Sequence, residues 1–129
     1  EEAVAPLLAN LTSSSIEEIY GYQDQLAIHL SDLDGPDFFD AFAKGPLGAS
    51  VDSFLYGRCY VVAKGRTFYE NILKKPGKFP PGVDFEALLY LENEAYEAKM
   101  GEEMTRFSPV VFETAFNKKN WGERAISYA

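Results

Sequence analysis

An all-α fold is expected for this chain: a compact single-domain array of four to six helices with a long central helix, spanning residues 1–129 with ragged ends. Apolar residues recur at three- and four-residue spacing from Phe54 to Leu73, which marks one buried helical face. Ser15 and Glu18 stand at the spacing of a capping box. Glycine or proline closes the other periodic stretches at Gly45, Pro76 and Gly101, and strand-like propensity is confined to Val110, Val111 and Phe112.

The first apolar pattern, Val4, Leu7, Leu8 and Leu11, reads as a short helix. The capping box then starts a helix from Ile16 to about Leu30 that buries Ile16, Ile19, Tyr20, Leu26, Ala27 and Leu30. Asp34-Gly35-Pro36 is turn chemistry, and Pro36 suits the first position of a short helix that ends at Gly45. The central helix runs from about 52 to about 74, capped by Asp52 or Ser50 and stopped by Pro76. Gly65 falls on its apolar stripe without a phase slip and reads as a point where another backbone comes close; the rival reading hinges two helices there. KKPGKFPPGV is too broken for regular structure and reads as an extended surface loop. Asp84 is the expected cap of a helix of about 16 residues with Phe85, Leu88, Leu89, Ala95 and Tyr96 on one face. In the tail, Ser108-Pro109 looks like a helix start, leaving a short helix or an irregular packed segment, with Trp121 laid over the core edge.

A chain of 129 residues with 47% hydrophobic residues, 10 Phe and 8 Tyr can build one real core. Its formal charge of −8 argues against nucleic acid or an anionic membrane as partner and permits a basic protein. The single cysteine, Cys59, excludes an internal disulfide and a multi-cysteine zinc site. No apolar run reaches the ~18 to 20 residues needed to span a bilayer, so direct membrane insertion is not expected. The chain reads as soluble and cytoplasmic by default. Glu1 in place of Met marks a fragment, a processed form or part of something longer, and leaves an organellar home open if a targeting peptide was removed.

The run from Asp52, DSFLYGRCYVVAKGRTFYE, resembles domain-of-unknown-function family 4240, a group of uncharacterised, mostly bacterial and some algal proteins. EALLY from Glu86, AYEAKMGEE from Ala95, the Pro109 to Trp121 region and the IEEIY helix continue the similarity, which covers about residues 11 to 121. The resemblance implies a small helical domain and carries over no catalytic or binding residues.

Arg58 lies on the stripe of Phe54, Val61, Val62 and Gly65, where a charge needs a partner. Glu92, between Leu88, Leu89 and Ala95 on the apolar face of its own helix, is the best placed acid. An Arg58–Glu92 ion pair is therefore expected to tie the two main helices together in a structural role. Cys59 reads as a small buried hydrophobe and His29 as a surface histidine without a second ligand at metal spacing. Glu92, Glu94, Glu97, Glu102 and Glu103 can supply carboxylates for acid–base work or a hard cation, although Glu94 and Glu97 read first as a solvated face. No Gly-rich phosphate loop and no Ser-His-Asp set stands out. Catalytic residues, metal ligands and cofactors are accordingly not expected.

The aromatics Tyr20, Tyr22, Phe38, Phe39, Phe42, Tyr56, Tyr60, Tyr90 and Phe107 exceed what one small core needs. Tyr56, Tyr60 and Tyr90 fall off the main stripes; with Glu94 and Glu97 they form the expected partner surface, against a plainer role in packing on neighbouring helices. The functional expectation is a non-enzymatic protein-interaction domain, an accessory subunit or adaptor of a larger protein assembly. Its alternatives are an immunity protein against a toxin and a carboxylate- or metal-dependent enzyme.

Overall fold

Helix α1 (Ala5–Thr12) leads into a Ser15 that accepts the Glu18 amide while the Glu18 carboxylate accepts the Ser15 amide. This reciprocal cap starts α2 (Ile16–Asp32), which buries Ile19, Leu26, Ala27 and Leu30. The computed structural model describes residues 5–124, so Val4 of the first apolar pattern and both ends of the expected domain lie outside the described residues. Pro36 opens α3 (Pro36–Phe42), and a second reciprocal cap, Ser50 with Ser53, opens α4 (Val51–Ala63).

The expected central helix is two helices. Gly65 has a φ of 103°, a conformation that costs a side-chain-bearing residue dearly, and α5 (Arg66–Lys74) begins immediately after it. Gly65 is exposed and nothing lies within 4 Å of where its Cβ would stand, so it is a hinge rather than a crossing point. The close approach is at Gly57 on α4, where an added Cβ would stand 2.6 Å from Cε1 of Phe42. The apolar stripe hides this break because both helices bury their faces in the same core.

Two further expectations shift. The proline-rich loop contains a 3₁₀ turn (Pro76–Lys78), and Phe79, 1% exposed, plugs the core instead of lying on the surface. The helix expected after Asp84 has no side-chain cap: it begins as a 3₁₀ turn (Glu86–Tyr90) and becomes α6 (Leu91–Met100), which ends in a left-handed Gly101 as expected. A last helix, α7 (Lys118–Trp121), brings Trp121 to 3% exposure. The fold is all-α among the described residues.

Helix α4 is buried on two faces and joins two apolar clusters. Leu55 and Cys59 pack with Leu11, Ile19, Leu26, Leu30, Leu88, Leu91 and Ala95. Phe54 and Val61 pack with Leu33, Phe38, Phe42, Tyr69, Ile72 and Phe79, where four aromatic rings meet edge to face or tilted. Arg58 lies on this same spine with no exposed surface.

Candidate functional site

A guanidinium stripped of water must find acceptors, and Arg58 has three, one on α2 and two in the irregular segment that follows α6. Its Nη1 donates to the Leu30 carbonyl at 2.8 Å and to the Phe112 carbonyl at 2.8 Å, and Nη2 donates to Thr114 Oγ1 at 3.1 Å. The Phe54 ring lies 4.8 Å from its central carbon. Burial pulls the group down to about 10, while Asp34, Cys59 and Glu113 favour its charged form, so it stays a cation at neutral pH.

The expected Arg58–Glu92 ion pair does not form. Helix α4 does pack Leu55 and Cys59 against Leu91 and Ala95 of α6, but Arg58 turns instead to the Leu30 carbonyl and the tail. Ion pairs among the described residues are Arg66–Glu70, Arg106–Asp24 and Arg124–Asp40.

What Arg58 holds is a strap, residues 102–117, that has no regular structure and crosses the helices. Arg106 fastens one end: its guanidinium donates to both oxygens of Asp24 at 3.0 and 2.9 Å and to Gln23 Oε1, above the Tyr20 ring. Asp34, with no exposed surface, fastens the other. Its carboxylate accepts the backbone amides of Ala115, Phe116 and Asn117 at 2.9, 3.0 and 3.0 Å and the indole N–H of Trp121 at 2.7 Å. The positive φ of Ala115, 70°, belongs to this turn, where successive amides converge on one anion. Sequence reasoning read Asp34 only as turn chemistry; its partners lie more than 80 positions away, and no local pattern marks them.

The strap turns apolar side chains outward, two between its fasteners and one within the fastened turn. Phe107 is 88% exposed, Phe116 60% and Val111 52%. Beneath it lies a cavity of about 470 Å³ whose wall includes Gln23, Glu92, Met104, Arg106, Phe107 and Val111. Glu92 is 8% exposed, and its Oε2 is sealed from solvent without a hydrogen-bond partner. Burial pushes this carboxyl up to about 7, against a smaller opposing pull from its own backbone.

The family model described as "Protein of unknown function (DUF4240)" matches residues 1–98. The chain belongs to this family. Membership covers the helical body of this DUF4240 domain through most of α6, while the strap follows the matched region, which ends earlier than the resemblance drawn to residue 121. No curated protein and no solved structure matches the chain.

The tyrosines expected to form a partner surface do not act alike in this DUF4240 member. Tyr90, 46% exposed, donates its hydroxyl to Glu86, and at helical spacing Glu94 and Glu97 follow it along the exposed side of α6. Tyr56 is half-buried against the first apolar cluster. Tyr60 is half-buried, with the Lys64 ammonium 5.9 Å from its ring centre. Cys59 is buried, which pushes its thiol up to about 12. His29 is half-buried with its ring edge on Tyr69. Among the described residues no three His, Cys, Asp or Glu side chains gather as a metal cage, and no helix is long and apolar enough to cross a membrane.

Proposed function

We propose that this DUF4240 domain is a non-enzymatic protein-interaction domain, an accessory subunit or adaptor that docks a protein partner through the face of its strap. The observation that carries this reading is the outward set of Phe107, Val111 and Phe116 on a segment whose ends are fixed by Arg106 and Asp34. Exposed aromatic and aliphatic groups on a pre-ordered backbone lose little entropy on binding, and they supply the anchors that dominate interface energy. The net charge of −8 favours a basic partner and suppresses acidic ones.

The test compares affinity purification of the parent protein with a Phe107→Ser, Val111→Ser double variant. The expected result is a stoichiometric protein partner recovered with the parent and lost with the variant, at unchanged melting temperature. A parent that runs as a clean monomer without a partner, or a variant that keeps the same partner, contradicts the proposal.

A further inference from the structure

We propose that the groove at the end of α5 docks an acidic peptide segment of a partner protein, with its carboxylates held by Lys74, Lys75 and Lys78 and one apolar side chain seated on Phe68 and Ile72. The proposal goes beyond the strap reading: it concerns other elements and a ligand of opposite charge, and neither depends on the other.

In a chain with a net charge of −8, residues 66–78 run the other way, with four cations and one acid. That acid, Glu70, pairs with Arg66, and no acid among the described residues lies within salt-bridge reach of Lys74, Lys75 or Lys78. The C-terminal dipole of α5 accounts for a cation at Lys74 but not for another at Lys78, beyond Pro76 in the 3₁₀ turn. The three lysines instead share the wall of one groove of about 480 Å³ with Phe68, Asn71 and Ile72. Ile72 is buried and Phe68 half-buried, so the floor is apolar, and Lys64 adds a fourth ammonium 5.9 Å from the Phe68 ring centre.

Charge and shape select the occupant. Ammonium groups on flexible stems meet carboxylates in varied geometries, and the stems themselves extend the apolar wall. The Asn71 amide both donates and accepts, which matches a peptide group, whereas a bare phosphate uses donors alone. A nucleic acid draws its affinity from many neutralised phosphates, and the rest of this acidic chain repels it. At physiological salt that wider field is screened beyond about 8 Å, so a short segment within the groove is governed by the lysines.

The experiment records backbone amide shifts of the whole chain by NMR during titration with the blocked peptide Asp-Glu-Leu-Asp-Glu. The amides of Phe68, Asn71, Ile72 and Lys75 are expected to move. Binding is expected to be about tenfold weaker for the isosteric Asn-Gln-Leu-Asn-Gln peptide, and about tenfold weaker for a Lys74→Gln, Lys75→Gln, Lys78→Gln variant, the worth of three exposed ion pairs. All three lysines are exposed, so that variant is expected to melt as the parent does. Glycine in place of the peptide's leucine is expected to weaken binding at least about threefold. The Phe107→Ser, Val111→Ser variant is expected to bind the peptide as the parent does. Equal binding of charged and neutral peptides, undiminished binding by the lysine variant, or shifts confined to other residues overturns the proposal. Tighter binding of pyrophosphate, of a single-stranded oligonucleotide or of phosphatidylserine vesicles than of the peptide also overturns it. Movement of the same amides on dilution of the protein alone would make a second copy the occupant and overturn it too.

Discussion

Arg58 and Asp34 carry charge into a helical core, and each is held there by groups distant in sequence. Removing either leaves several buried donors or acceptors without partners, which costs more than the hydrogen bonds themselves contribute. Arg58→Ala and Asp34→Ala are each expected to lower the unfolding free energy by about 3 to 5 kcal/mol, measured by urea denaturation. A loss below about 1 kcal/mol, the level of an exposed pair, contradicts the fastening role. The sequence pattern exposed Arg58 as a buried charge but pointed to Glu92 as its partner, because it counts faces and cannot see an irregular segment folding back over them. Glu92 gives a second expectation. Its carboxyl titrates near 7 in the fold against about 4.5 in an unfolded chain, so the unfolded state gives up its proton first as pH rises. The stabilisation from the neutral acid is therefore complete below about pH 4.5 and is lost as pH climbs to about 7. Tyr22 from α2, Cys59 from α4 and the wall groups Glu103, Arg106 and Glu113 face or surround it. Glu92→Gln lacks this titration, so its stability relative to the parent is expected to rise by roughly 3 kcal/mol across that interval. A difference independent of pH contradicts the burial of this carboxylate.

Helix starts with a reciprocal cap were the most legible elements, since such a cap is written within four residues, as at Ser15 and Glu18, whereas the starts expected at Asp84 and at Ser108-Pro109 did not form as read. The break at Gly65 was less legible: periodicity continues across it, and a positive φ leaves no mark beyond the glycine itself. The two glycines of this region sort the alternatives. In an unbroken helix Gly65→Ala would stabilise by about 1 kcal/mol; with a φ of 103° it is expected to destabilise by about 1 to 2 kcal/mol. Gly57→Ala is also expected to destabilise, by about 1 to 3 kcal/mol, because its methyl would press into the Phe42 ring. Thermal melts of the two variants decide the matter, and a gain in stability at Gly65 restores the continuous helix. The strap was the least legible element. Its register comes from Asp24, Asp34 and Arg58, so its own residues carry neither a helical nor a strand period.

Across the whole molecule, α4 unites two apolar clusters, and the strap spans the body from Asp24 to Asp34 while displaying apolar groups and bordering the open cavity beside Glu92. The helical class and most of the core were readable from the spacing of Leu, Ile and Phe. The strap face was not, because Phe107 stood only as one of many surplus aromatics and Val111 and Phe116 look in sequence like core residues; their 88%, 52% and 60% exposure singles the three out. The docking role of the strap rests on that segment being fixed. Native-state hydrogen exchange of the Ala115, Phe116 and Asn117 amides measures this directly, since all three donate to buried Asp34. Protection comparable to that of the α2 and α4 interior is the expected result, and exchange at the rate of an unfolded chain would contradict a fastened strap.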